Sequence, residues 1–458
     1  MKDRVDIKNF VNSIEDKFPV DKWVVNDIHI WPILRMRLHF YLINHLENKN
    51  VNEKKKLPRK SIKNTIKQLY YFIFSLFFWI KIKKSKNLFI ASNDHRLDFK
   101  DTKYNRFFDA FIELNNIVDY KYIEYGFSKY TNLYKKENIY FSRESLKGFK
   151  FFKSANTILN VQLPLFDEFE HFLFSNAITK TFLENNKQEV FLQWFQKEFY
   201  LNFLFYRKVL KKINPDKVYV LCYYGEEIMA LTAAANQLNI ETIEYQHGPQ
   251  VKVHLAYGSW SKIPNNGFDI LPRTFWNWDK FSENVLKEWT TNNKLYKTKV
   301  VGNFWIDYWK NQSNLYEYKN YVLYCIQPHP FTIEQLFTEQ LIKCIKSGQL
   351  KWFVRLHPRQ INQMEEIKAF LKEKNILEMV NLQAATNDFL PLLLSNAKLH
   401  VTHYSGSALE AAMFGLKTVI LNEIGNECFS ELIIENKAVY IDSNDVNFNQ
   451  KFMSLIAN

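Results

Sequence analysis

The stretch Leu399–Leu421, reading LHVTHYSGSALEAAMFGLKTVIL, constrains this chain more than any other. An apolar run, a tight polar turn, an Ala-rich helical segment and a second apolar run follow one another without a break. That order predicts strand, turn, helix and strand, and a helical crossover makes the two strands parallel. The turn carries His403, Ser405, Gly406 and Ser407. Gly406 lets a backbone approach a ligand closely. A helix starting near Ser407 points free amides and the positive end of its dipole at the turn, so a phosphate can sit there without a Gly-rich loop. Ser407-Ala-Leu-Glu410 also has the form of a capping box. The two readings are compatible, because a phosphate site needs a well-made helix end.

The same grammar recurs along the chain. Asn87–Ala91 reads as a short buried strand, and the polar loop after it offers Asp94, His95, Arg96, Arg106 and Asp109. Val218–Leu221 predicts a strand, Ile228–Leu238 a helix and Glu241–Tyr245 the next strand, which ends in Gln246-His247-Gly248. Further strands are expected at Lys299–Val301, Tyr321–Ile326, Lys351–Leu356, Val380–Leu382 and Thr418–Leu421. Residues 249–298, punctuated by Trp and Pro, are expected to bridge two domains. A chain of 458 residues is long enough for two. The expected fold is α/β, with two Rossmann-like domains facing across a cleft and an N-terminal helical and aromatic extension. The boundaries read as 1–86 for the extension, 87–275 for an acceptor-side domain and 276–458 for a nucleotide-binding domain.

Charge is uneven. Lys and Arg outnumber Asp and Glu by 61 to 48, and residues 51–86 hold eleven basic residues against the single acid Glu53. Inside that segment lies Leu69–Ile80, LYYFIFSLFFWI. Twelve residues are too few to span a bilayer, which needs about 20. Aromatics flanked by lysines suit the interface of an anionic leaflet, and a buried helix behind a basic linker is the competing reading. Charge elsewhere is near balance, which argues against nucleic acid. Cys222, Cys325, Cys344 and Cys428 lie far apart with no CxxC, which suits a reducing compartment and speaks against a metal site. The stretch Met1–Val20 is charged and lacks the apolar run of a signal peptide. The expected location is cytoplasmic, peripherally on the inner membrane.

Several phrases carry a resemblance. Val300-Val301-Gly302-Asn303 resembles a phrase of sugar-nucleotide epimerases and GT-B glycosyltransferases. Arg355-Leu356-His357-Pro358 is similar to the His-Pro motif of bacterial sialyltransferases, polysialyltransferases and capsule Kdo transferases, and to a phrase of polyglycerol-phosphate polymerases. His403–Ser407 resembles the serine motif of the same groups, and Thr242–Gly248 a phrase of capsule and O-antigen transferases. The resemblance covers about residues 215–440 and implies a metal-independent GT-B glycosyltransferase with no cofactor. It implies a nucleotide-sugar donor, foremost a CMP-activated acidic sugar such as Kdo or a sialic-acid-like sugar. The acceptor would be a growing capsule or O-antigen glycan, free or lipid-linked. UDP-sugar transfer, CDP-glycerol polymerisation and sugar-nucleotide epimerisation are the alternatives.

The resemblance implies that Arg355, His357, Pro358, His403, Ser405, Gly406, Ser407 and Glu410 bind the nucleotide. A leaving phosphate needs its growing charge stabilised, which amides, hydroxyls and a cation can do. An attacking hydroxyl needs a base, for which Glu226, Glu227 and His247 are the candidates. The acidic-Gly motif of the sialyltransferase groups has only Tyr224-Gly225-Glu226-Glu227 as its counterpart, with the glycine before the acids. Asp94, His95, Arg106 and Gln246 are the acceptor-side candidates. Ser405 stands in HYSGS and not in the GxSxG of a nucleophile elbow, which argues against a serine hydrolase.

Overall fold

Apolar runs without polar alternation, such as LFIA and YVLYC, suit strands covered on both faces, and these become the centres of two parallel sheets. The computed structural model describes residues 2–47, 63–126, 130–153, 161, 163–310, 316–328 and 330–457. Most of the basic connector before the aromatic stretch therefore lies outside the described residues. The chain forms two compact units, Met1–Gly302 and Asn303–Asn458.

Among the described residues, the sheet of the first unit has seven strands in chain order: β1 (Asn87–Ala91), β2 (Tyr120–Glu124), β3 (Ile139–Phe141), β4 (Lys217–Val220), β5 (Glu241–Tyr245), β6 (Thr274–Asn277) and β7 (Lys297–Val300). They lie side by side as β7-β6-β5-β4-β1-β2-β3, and every pairing is parallel. The second unit has β8 (Tyr321–Cys325), β9 (Trp352–Arg355), β10 (Val380–Asn381), β11 (Ala397–Thr402), β12 (Thr418–Ile420) and β13 (Ala438–Tyr440), ordered β10-β9-β8-β11-β12-β13 and again all parallel. Counted within each unit, both follow the Rossmann order 3-2-1-4-5-6, the first with one strand added at the end. In such sheets ligands bind outside the carboxyl ends of the strands where the winding reverses. Those points lie between β1 and β4 in the first unit and between β8 and β11 in the second.

Three expectations need correction. The boundary falls after Gly302 and not after residue 275, because β6 and β7 complete the first sheet. Residues 274–300 therefore build the first unit and are no bridge, and Lys299–Val301 belongs with β7. The N-terminal residues are no separate extension either. Helices α1 (Arg4–Lys17) and α2 (Trp31–Leu46) put Ile7, Val11, Ile14, Trp31 and Leu34 into the first unit's core. A buried ion pair pins them. Arg35 Nε donates to Glu15 Oε1 at 2.6 Å with both side chains fully buried. Arg35 Nη2 donates to the Ser259 carbonyl at 2.5 Å, and its guanidinium lies 3.9 Å from the Trp260 ring centre.

The aromatic stretch forms α3 (Lys63–Lys81). The burial of α3 is one-sided. Phe78 is buried and stacks on Phe205 at 5.8 Å, whereas Phe72, Phe74, Phe77 and Ile80 are exposed. α3 packs on α4 (Arg143–Phe152) through Gly148, where a Cβ would lie 2.9 Å from the Tyr71 carbonyl oxygen. Among the described residues no helix is long and apolar enough to cross a membrane.

Candidate functional site

In the first unit the winding reverses between β1 and β4, and both strands end in chemistry-bearing turns. After β1, a short helical turn at Asn93–His95 buries His95. After β4, Cys222 takes φ 51°, the left-handed region that side chains beyond glycine seldom adopt. Its Sγ lies 3.9 Å from His95 Nε2. Burial, then Arg106 and Arg96, pull His95 down to about 3, so its imidazole is neutral. Burial pushes the Cys222 thiol up to about 12, which leaves it a protonated thiol and no nucleophile at neutral pH.

The neighbouring strand β5 supplies a carboxyl and an imidazole. Glu244 is fully buried. The Tyr257 hydroxyl donates to its Oε1 at 2.8 Å, and its Oε2 has no hydrogen-bond partner. Burial lifts Glu244 to about 8, against the Tyr257 bond and the Tyr223 amide. His247 Nδ1 lies 4.0 Å from Glu244 Oε1, is buried and also lacks a hydrogen-bond partner, while the Tyr224 hydroxyl meets Nε2 at 3.4 Å. Burial, then His95, His254 and Arg106, hold His247 at about 3. An uncharged acid and an uncharged imidazole thus stand side by side at the sheet's carboxyl edge. Such a perturbed pair is what acid–base sites are built from.

Of the other two expected bases, Glu226 is exposed in an ion pair and Glu227 is engaged inside the first unit. Glu226 pairs with Arg37 of α2 at 2.8 Å, and Glu227 accepts from the Tyr206 hydroxyl. Gln246 is fully buried and committed to structure: its amide donates to the Gly248 carbonyl and the Ser282 hydroxyl, and its oxygen accepts from the Trp278 amide. Arg96 and Asp109 are likewise internal. Arg96 pairs with Glu124 at 2.8 Å, and Asp109 accepts from the Tyr122 hydroxyl at 2.6 Å. Asp94 is exposed and Arg106 half-buried. Glu244 and the Cys222 turn were missed by sequence reasoning. The signal was available for Glu244, because a charged residue inside a strand buried on both faces is costly unless it has a use.

In the second unit β8 and β11 flank the reversal. Gln327, just past β8, is buried with neither amide atom hydrogen-bonded. After β11 come Tyr404, Ser405 and Gly406, half-buried, on a turn held by the Ser405 amide donating to Thr402 Oγ1 at 3.1 Å. His403 is turned into the core, 3.2 Å from the Tyr324 hydroxyl through Nδ1 and 4.5 Å from Phe331 between ring centres. Its backbone is crowded too: at Gly425 a Cβ would collide with the His403 carbonyl oxygen. The expected capping box does not form. Gly406 is the N-cap of the helix Ser407–Met413, and Ser407 Oγ instead bonds His400 Nε2 at 2.9 Å. Glu410 is buried on that helix.

At the neighbouring strand end, Arg355 Nη1 donates to the carbonyls of Ala385 and Asp388 at 2.7 and 2.6 Å. His357 caps the turn that begins at Pro358, its Nδ1 accepting from the Arg359 amide at 3.1 Å. Burial, then Arg359 and Arg355, lower its pKa. A neutral ring that accepts at Nδ1 carries its proton on Nε2, a donor suited to an anion. Of the eight nucleotide-side residues, His357, Ser405 and Gly406 are thus half-buried at strand-end turns, while Ser407 and Arg355 are engaged internally.

Comparison with known protein families gave no match, and neither did comparison with curated protein sequences. Solved structures with a similar chain path include UDP-GlcNAc 2-epimerase from Neisseria meningitidis bound to UDP-GlcNAc, 16% identical over 81% of this chain and 91% of that one, with a TM-score of 0.47. UDP-GlcNAc 2-epimerase from Methanocaldococcus jannaschii is 15% identical over 81% of this chain and 92% of its own, with a TM-score of 0.44. A Medicago truncatula protein complexed with UDP-glucose is 10% identical over 81% and 89%, with a TM-score of 0.44. The two-Rossmann-domain architecture of this chain follows from its own strand orders.

Proposed function

We propose that this protein is a GT-B glycosyltransferase that moves a sugar from a nucleotide donor to a glycan hydroxyl. The observation that carries the proposal is the Glu244–His247 pair, two perturbed groups without full hydrogen bonding at the carboxyl edge of the first sheet. His247 takes the proton of the acceptor hydroxyl as that oxygen attacks the anomeric carbon. The bond from that carbon to the donor phosphate oxygen breaks, and its electron pair leaves with the nucleotide. Ionised Glu244 stabilises the imidazolium that forms, an orienting role like that of the acid in a catalytic triad. Their 4.0 Å separation is the loose spacing common before substrate binds. On the donor side, His357 Nε2–H and the Ser405–Gly406 turn hold the phosphate, Gln327 faces the nucleotide and Glu410 holds the ribose. CMP-activated acidic sugars are the first donors to test and UDP-sugars the second.

Thermal-shift screening against CMP, CDP, UDP, GDP and their sugars names the nucleotide, since a ligand bound by the native state alone raises its stability. Transfer should then fall about 10²–10⁴-fold in His247→Ala with nucleotide affinity kept. kcat/KM should rise with pH through about 8, the Glu244 value, because the carboxylate is the active form. Sugar conversion without an acceptor would replace the transferase reading with an epimerase. A flat pH profile would remove Glu244 from the mechanism.

We also propose an anionic membrane surface as a partner, supported by exposed Phe74, Phe77 and Ile80 beside the exposed Lys81, Lys83 and Lys84. Reversing those three charges should weaken vesicle co-sedimentation, and added salt should do the same.

A further inference from the structure

Between α3 and the edge strand β3 lies a cleft of about 870 Å³, remote in sequence from the groups assigned to transfer. Its two sides differ in chemistry. Tyr70, Phe74 and Phe77 of α3 form an aromatic wall, each between 46% and 57% exposed, with buried Phe78 behind them. Lys81 and Lys83 stand at the end of α3, and Lys121 and Lys136 line the cleft from the sheet side. Glu137 and Glu144 also line it, so four ammonium groups face two carboxylates. The polar end is anchored: the Lys83 amide donates to the Tyr140 hydroxyl at 3.1 Å, and Lys121 Nζ to Asn138 Oδ1 at 2.5 Å.

Exposed aromatic surface of this extent marks a binding face, and lysines bind phosphate as point charges without demanding one geometry. We propose that the cleft seats one amphiphile with a net-negative phosphate headgroup. Its chain would lie on Tyr70, Phe74 and Phe77, and its phosphate among Lys81, Lys83, Lys121 and Lys136. A lipid fits better than an acidic protein, because the aromatic wall runs into further exposed apolar surface. Ile80 is exposed on α3, and Phe72 packs against exposed Phe152 of α4 at 5.3 Å. A chain can therefore slide from a leaflet into the cleft along apolar side chains. The membrane-surface reading enters only in how the lipid arrives, and binding of a soluble short-chain lipid is independent of it.

The test is calorimetric titration of the full chain with dihexanoyl phosphatidic acid below its micelle concentration, with dihexanoyl phosphatidylcholine, and with inorganic phosphate. Phosphatidic acid should bind one to one and at least about tenfold more tightly than phosphatidylcholine, a difference of one decade in Kd. Phosphate alone should not saturate the site. Lys83→Glu combined with Lys136→Glu should erase the preference for phosphatidic acid, and Phe77→Asp should weaken both lipids. These side chains are exposed, so melting and nucleotide shifts should be unchanged. Equal binding of both lipids, or a double variant that binds phosphatidic acid like the parent, overturns the proposal. Phosphate binding as tight as lipid, or an acidic peptide displacing the lipid, does so as well. A chain that responds to nucleotides but ignores the lipid loses this proposal alone, and the converse result leaves it standing while the transferase reading falls.

Discussion

Glu244→Gln should make the first unit more stable, and more so as pH rises. Glu244 is fully buried and its pKa lies at about 8, against an ordinary 4.5. A carboxyl raised in the fold costs nothing while both states are protonated. Above pH 4.5 the unfolded chain ionises and the folded one does not, so native stability is lost progressively until pH passes about 8. Linkage gives a cost of about 1 kcal/mol at pH 5 and about 4 kcal/mol at pH 8, a difference of about 3 kcal/mol. Glutamine keeps an acceptor for the Tyr257 hydroxyl and cannot ionise. Urea unfolding at pH 5 and pH 8, followed by near-ultraviolet circular dichroism, should therefore show the variant gaining about 3 kcal/mol on the parent between the two. Groups near Glu244 that are common to both proteins, His247 and Cys222 among them, cancel in this comparison. Equal pH slopes for the two proteins would refute the reasoning and show that Glu244 is solvated or paired.

Arg35→Ala should destabilise the first unit by about 3–5 kcal/mol, because it strands the buried carboxylate of Glu15; Arg35→Ala combined with Glu15→Ala should recover part of that loss in the same urea titration. Gly425→Ala should cost about 1–3 kcal/mol by forcing the new methyl group against the His403 carbonyl, read as a lower melting temperature of the second unit. His357→Ala should weaken nucleotide binding about 10–100-fold, the worth of one hydrogen bond to a charged group, with a calorimetric Kd as the check.

The strands that the sequence predicted best are those buried on both faces. Asn87–Ala91 and Glu241–Tyr245 appear with the expected bounds: LFIA is an uninterrupted apolar run, and turn residues flank both LFIA and the β-prone ETIEY. β2, β3, β6 and β13 went unseen, because YKYIE, IYF, TFWN and AVY are short, aromatic or partly polar, and in this chain aromatics also fill the helices. The domain boundary slipped for the same reason: the Trp-rich stretch looked like a connector, yet Phe275 and Trp289 belong to the first core. At Ser407 the local pattern predicted a cap, but His400 sits on the adjoining strand and takes the hydroxyl. Only the folded sheet brings that imidazole within 2.9 Å. Glu226 and Glu227 looked available at a helix start, and their partners Arg37 and Tyr206 are supplied by distant helices. Strand-end placement was therefore readable, while the engagement of each polar group was decided by long-range neighbours.

The strand order of the first unit also governs when it can form. Its central pairing sets Phe89 against Tyr219, whereas the matching pairing in the second unit sets Leu323 against His400, a much shorter reach along the chain. Closing the longer loop costs only about 0.5 kcal/mol more. Long-range parallel pairing is nonetheless slow to find, and folding rate falls as such contacts dominate. During synthesis the first half of the sheet, β1 to β3, emerges long before β4 arrives to cover its inner edge. The nascent chain therefore carries an open apolar edge while everything from Phe141 to Lys217 is being made. Helices α1 and α2 are already present then and can shelter apolar surface on the nascent chain.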